Sequence, residues 1–443
     1  MTITLEPVVE LNPEATTLLA TPPAEARSAL LGRRFILFAI GQQLTQLAGG
    51  LLYFALPLYV LLETGNPALM GTVLALAALP QILLMPMGGA IADRIDKRRF
   101  LAGLNLTAAG AVLVWLLATD SLSVVPAVAI LMLAYLGIEA LLSPTMESVI
   151  PAIVPEEQLV RANSITFALG FGVAVGAPAL GGALLTSFGL SHALWLAVGL
   201  FALAAIAKSA VKIPRAEHET IGPLVRTVIG DLRDAARFVA RGDRGLRKFL
   251  LIDVAITFAL APLQLVVLPS LLVRSGLTSG QIGWAMGATM AGGAIAVILV
   301  GALGERATVR LVRPLVILAT CAAATTGLVF FADLGPVAAA VVLAGGLVVT
   351  LGAIAAFGVL LYTYIGERTP EHLTAKIFAL SGSGSVAGVA AGNWVFGVLV
   401  NRLADTPAIA ILLASLVLAV AAFAVNTTKL VPAEPADVSE AVQ

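Results

Sequence analysis

The hexapeptide Gly89-Ala90-Ile91-Ala92-Asp93-Arg94 returns as Gly301-Ala302-Leu303-Gly304-Glu305-Arg306, an offset of 212 residues. The same offset relates Leu56-Pro57 to Leu268-Pro269 and Gly71 to Gly283. It also relates Gly170, Gly172 and Gly176 to Gly382, Gly384 and Gly388. Several landmarks at one spacing constrain the chain to fold as one unit written twice in the same orientation. Each hexapeptide closes the second long apolar run of its half and opens a short charged loop. The unit is therefore a set of about six spans. Paired units of this kind are common in membrane carriers, because two similar halves can rock about a site held between them.

Composition agrees with a membrane setting. Hydrophobic residues make up 59% of the chain, charged residues 12%, and the mean hydropathy is +1.00. Soluble folds carry roughly a quarter charged residues, so most of this chain must meet lipid or other buried helices. A helix needs about 20 apolar residues to cross the hydrocarbon. Spans are predicted at 35–62, 68–91, 100–119, 124–149, 162–187, 191–211, 249–273, 281–303, 314–332, 336–364, 376–400 and 407–425. The expected fold is all-α and integral to the membrane, with twelve transmembrane helices as two six-helix repeats. Residues 1–32 and 429–443 are expected as disordered tails, 33–211 and 249–428 as the two bundles, and 212–248 as a linker.

Charge orients this arrangement. Of the 26 Lys and Arg residues, all but Arg274 and Arg402 fall on the side of the termini. Cytoplasmic loops carry the positive charge, so both termini are expected in the cytoplasm, with the chain in the cytoplasmic membrane. The first 30 residues hold Glu6, Glu10, Glu14 and Glu25 against Arg27, unlike the basic start of a cleaved signal peptide. Cys321 is the single cysteine, so its expected role is packing. In the linker, Leu224, Val228, Leu232, Ala235, Ala236 and Val239 recur at helical spacing among Arg226, Arg233, Arg237 and Arg241. This pattern predicts an amphipathic helix, either lying on the inner membrane surface or solvated.

The run Gly89-Ala90-Ile91-Ala92-Asp93-Arg94-Ile95-Asp96-Lys97-Arg98-Arg99 resembles the signature between spans two and three of the major facilitator superfamily, G-x-L-A-D-R-x-G-R-K. Asp96 stands where the second glycine is usual. The Asp-Arg-x-Asp form is similar to the branch of macrolide and siderophore exporters, which are drug:proton antiporters. The resemblance implies alternating access and a conformational latch of Gly89, Asp93, Arg94 and Arg98 that closes the cytoplasmic side against span eleven. A carboxylate such as Asp93 suits that place, because it can face a helix N-terminus and pair with arginine. A topology signal is the other reading of the basic residues.

Span five carries Gly176-Ala177-Pro178 and Gly181-Gly182, similar to the G-x3-G-P-x2-G-G motif of the superfamily's exporters, with Ala177 in place of glycine. The resemblance implies export; tight helix packing is the alternative. Span four has no arginine where many relatives carry one, so the proton-relay role of that arginine does not carry over.

Polar residues inside the spans give the candidate site. Gln42, Gln46, Gly49 and Tyr53 share one face of span one, and Asp253, Thr257, Leu260 and Gln264 show the same spacing in span seven. Stripes on repeat-related helices suit the walls of a central cavity, or else hydrogen bonding within each bundle. Asp253 lies near the cytoplasmic end, where an ion pair with Arg247 or Lys248 is expected. Span four adds Tyr135, Glu139, Ser143 and Glu147 on one face. Glu139 is the deepest acid, about 15 residues or ~22 Å from the periplasmic end. It can exchange a proton, attract a cationic substrate, or stay protonated as a structural group. Glu139 is the leading proton-coupling candidate, followed by Glu147 and Asp253. Asn393 of span eleven is a further cavity candidate.

No G-x4-G-K-[ST] phosphate cradle occurs, since no lysine follows a glycine. His192, His218 and His372 are scattered, so neither a metal nor any other cofactor is expected, and nothing points to nucleic acid. The partners expected are a small-molecule substrate, a coupling proton or sodium ion, and the bilayer, with the protein as a monomer. The leading expectation is proton-coupled efflux of amphipathic or cationic compounds. The alternative is a specific carrier for a metabolite, siderophore or lysophospholipid. A membrane enzyme is disfavoured by the lack of a catalytic cluster, and a channel by the two-fold repeat.

Overall fold

The computed structural model describes residues 32–92, 95–118, 123–213, 224–241, 244–303, 311–329, 336–369, 371–403, 406 and 408–426. Among these residues there is no β-strand. The first half contains α1 (Arg33–Thr64), α2 (Pro67–Ala77), α3 (Leu79–Ala92), α4 (Lys97–Ala118), α5 (Val124–Glu147), the single turn α6 (Ile150–Ile153), α7 (Leu159–Phe188) and α8 (Leu190–Ser209). After α9 (Leu224–Arg241) the second half follows as α10 (Arg244–Pro262), α11 (Leu268–Arg274), α12 (Ser279–Leu303), α13 (Val312–Val329), α14 (Pro336–Arg368), α15 (Glu371–Arg402) and α16 (Ala408–Asn426). Helix is found within each of the predicted spans. Among the described residues, ten stretches are long and apolar enough to cross a membrane, and Val312–Leu328 and Ile409–Ala424 are shorter apolar helices in the remaining two places.

Local chemistry explains the joints. Gly65 takes a left-handed φ of 62° to end α1, and its amide closes on the Leu61 carbonyl at 2.8 Å. Asn66 then caps α2, its Oδ1 accepting from the amides of Ala68 and Leu69, with Pro67 at the first helical position. Two residues thus reverse the chain. The second span is two helices because Pro80 has no amide for the Leu76 carbonyl, which the Ala78 amide takes instead. The seventh span is also interrupted: Leu263–Val267 form a π turn between α10 and α11, with the Leu268 amide reaching back to the Leu263 carbonyl.

Each half has a packed interior, with Leu51, Leu52, Met132 and Phe201 fully buried in the first and Phe249, Phe357 and Val316 in the second. Leu117, Ile206, Leu251 and Phe423 face outward, as a surface bathed in hydrocarbon requires. The halves meet chiefly where α7 packs on α12 and where α2 and α3 pack on α15. The linker helix α9 forms as the periodicity predicts. Ala235 and Val239 of its apolar stripe join the main core, Ala236 is exposed, and the helix rests on α15, α3 and α10.

Candidate functional site

At the end of the bundle away from the termini, the halves touch backbone to backbone. Gly283 of α12 lies under the Pro178 carbonyl and beside the Cα of Gly182 on α7, so any side chain there would collide. Gly71 of α2 stands in the same relation to the Asn393 carbonyl and Gly397 of α15. Gly71 and Gly283 are repeat partners, and Pro178/Gly182 and Asn393/Gly397 share a four-residue spacing. The two crossings are one contact made twice about the pseudo-two-fold axis. Gly181 faces Phe54 of α1 within the first half, whereas Gly176 has nothing within 4 Å of where a side chain would begin.

Below this closed end lies a polar cluster built by α1, α5 and α8. Tyr135 is buried, fills the space that Gly49 leaves on α1, and tilts against Phe201 with ring centroids 6.1 Å apart. Its hydroxyl donates to Glu139 Oε2 at a long 3.4 Å. Glu139 is partly exposed despite its depth in α5. Gln42 is buried with its Oε1 unpartnered among the described residues. Gln46 is partly exposed and leans toward Gly170 of α7, and Tyr53 is half-buried.

The remaining candidates fall into separate places. Glu147 is exposed at the end of α5. Asp253 accepts a hydrogen bond from Ser385 Oγ of α15, rather than pairing with Arg247 or Lys248. Arg247 Nη1 donates to the Ala240 carbonyl at 3.2 Å, because the linker helix ends within its reach. The Gln264 amide is taken up inside the second half, donating from Nε2 to Thr289 Oγ1 at 3.0 Å. Asn393 is buried, and its Oδ1 has no partner among the described residues. Gly89 lies in α3, while Asp93 and Arg94 lie outside the described residues. Arg98 donates from Nε to the Ser209 carbonyl of α8, within its own half.

Sequence reasoning missed three members of the cluster. Lys208 belongs to the charges counted on the termini's side, but it is fully buried in the last turn of α8. Thr45 and Asn105, also fully screened from solvent, join it to α1 and α4. A lysine preceded by an unbroken apolar run was the available signal, and its place near a span end disguised it.

The family model of the Major Facilitator Superfamily matches residues 38–393. The chain is 28% identical over 369 residues to the multidrug efflux pump Tap of Mycolicibacterium fortuitum, covering 79% of this chain and 84% of that protein. It is 25% identical over 233 residues to macrolide efflux protein A of Streptococcus pyogenes, covering 52% of this chain and 57% of that one. A crystal structure of the nucleoside transporter NupG superposes with a TM-score of 0.72 at 13% identity, covering 88% and 98% of the two chains.

Proposed function

Because this chain belongs to the Major Facilitator Superfamily and is a membrane transporter rather than an enzyme, we propose that it exports amphipathic or cationic small molecules in exchange for protons by alternating access. Both termini lie in the cytoplasm, and the layout is two bundles, 33–211 and 249–428, joined by the linker 212–248 and flanked by tails. The efflux activity in the names of two relatives supports the direction. The positive charge on the termini's side supports the orientation.

The observation that carries the reading is the placement of Glu139. It is an acid at depth, partly exposed, with a tyrosine hydroxyl as a weak donor. A carboxyl so placed can hold either a proton or a cation, and exchange of one for the other is the elementary act of an antiporter. Gln42, Gln46, Tyr53 and Tyr135 are its proposed polar walls, while Asn393 lies at the crossing of the halves. Gln264 braces the second half through Thr289. Glu147 and Asp253, nearer the termini, serve as secondary acids on the path to water. Asp93 and Arg94 act as the latch residues.

The test is dye accumulation in pump-deficient cells expressing the protein, with and without a protonophore. The expected result is lowered accumulation of several unrelated compounds, abolished by the protonophore and by Glu139→Gln. Efflux by Glu139→Gln at the normal rate and with the normal pH dependence would remove that residue from the mechanism. No change across the dye panel would favour a specific carrier.

A further inference from the structure

On the outer surface of the second half, α12, α13 and α14 enclose an apolar groove of about 1040 Å³. A backbone contact fixes its inner end. A Cβ added to Gly292 of α12 would stand 2.3 Å from the Val348 carbonyl oxygen of α14, so no side chain fits between the two helices there. From that mid-span contact the groove runs toward the side of the termini. Ala296, Ala353 and Ala356 back it with small side chains, and Ile295, Leu299 and Leu318 stand exposed along it.

The repeat explains the space. Ala296 is the counterpart of Leu84 at the offset of 212 residues. In the first half the Leu84 Cδ1 lies 3.9 Å from where a side chain on Gly137 of α5 would begin, so a leucine stands between the equivalent helices. The second copy has a methyl group in its place. The dimensions point to the occupant. From Gly292 to Val300 the helix rises about 12 Å, against about 15 Å for one leaflet of hydrocarbon. A fatty-acyl chain of one leaflet fits that depth. A transmembrane helix from a second copy would have to continue past the Gly292 contact, where the groove ends.

Charge is supplied at the open end. Arg313 is exposed in the first turn of α13, between Leu311 and Pro314, and both of these neighbours line the groove. Among the described residues Arg313 has no ion-pair partner. An arginine at a span end extends its long stem to the headgroup layer, where its guanidinium can hold a phosphate through two parallel hydrogen bonds. We propose that this groove is a binding site for one anionic phospholipid of the leaflet on the termini's side. An acyl chain lies against Ala296 and Ala353, and the phosphate meets Arg313. The site belongs to the second half and is separate from Glu139, so it stands whether or not the antiporter reading does.

The experiment titrates the full chain, purified in detergent and stripped of lipid, and reads bound molecules by native mass spectrometry. The probes are phosphatidylglycerol, phosphatidylcholine with the same acyl chains, and glycerol 3-phosphate. The expected result is one phosphatidylglycerol bound about fivefold more tightly than phosphatidylcholine, the preference that one basic residue supplies, and no binding of glycerol 3-phosphate. Arg313→Gln removes the preference and Arg313→Lys retains it, while Arg161→Gln, at an exposed arginine of the first half, leaves it unchanged. Ala296→Leu, which carries the side chain of the first copy, weakens both lipids about tenfold by filling the groove. Gel filtration and thermal unfolding check that each variant is folded. Arg313 is exposed, so its arm reads even if Ala296→Leu fails to fold. Equal binding of the two lipids by wild type, or a preference that survives in Arg313→Gln, would overturn the proposal. Unchanged affinity in folded Ala296→Leu, or glycerol 3-phosphate bound as tightly as the whole lipid, would overturn it as well.

Discussion

The carbonyl of Pro178 lies directly over the bare Cα of Gly283, with no side chain between the two halves at that point. The exporter-like motif of span five is thereby a contact between halves, and small residues are what the close approach demands. Gly283→Val forces this crossing apart. Overpacking of this kind costs about 1–3 kcal/mol, so dye efflux per expressed molecule is expected to fall about tenfold or more. Gly172→Val is the control, since nothing stands within 4 Å of a side chain there. Equal losses in both variants would show that the crossing is not the cause.

Gly49 and Tyr135 are similarly matched in shape. In Gly49→Ala the new methyl collides with the tyrosine ring and hydroxyl, and a loss of about 1–3 kcal/mol in stability is expected. Adding Tyr135→Leu shortens the intruding group and restores the melting temperature in detergent, though not efflux. Additive losses in the double variant would refute the match.

Asp253 takes its hydrogen bond across helices from Ser385. Ser385→Ala is expected to reduce stability by about 1–3 kcal/mol by leaving a carboxylate without its donor, while Ser385→Thr keeps it. Lys248→Gln is expected to leave stability unchanged. The opposite order, measured by thermal unfolding, would restore the ion pair that the sequence suggested.

The linker helix supplies a fourth test. Ala235 is fully buried where α9 meets the two halves, so Ala235→Glu buries an unpaired charge and displaces the helix. A lower melting temperature and faster protease cleavage within 214–243 are expected. Arg233→Glu, on the exposed side, should change neither. Equal cleavage in the two variants would mean that the helix is not docked.

The spans were legible because hydrophobic length has a single physical meaning in a bilayer, and the repeat was legible because Gly71, Gly283 and the Leu-Pro pairs survive at one offset. Glu139 and Tyr135 were legible as polar residues on one face of an apolar helix. Lys208 was not, because a lysine near a span end is equally well explained by the charge rule for cytoplasmic loops. Only the packing of α1, α4 and α5 around its amine separates a solvated charge from an interior one. Ser385 was hidden for another reason. Its partner lies 132 residues away, and no periodicity within one helix reports a bond to another.

The π turn of span seven accounts for a small mismatch between the halves. Tyr53 precedes Pro57 by four residues, while its counterpart Gln264 precedes Pro269 by five. Leu263–Val267 is where that extra residue is housed. A widened turn takes up one surplus peptide without shifting the helix on either side. The two copies therefore keep their prolines in register on one side of this turn and run one residue out of step on the other, and deleting Val266 should return the second copy to the frame of the first.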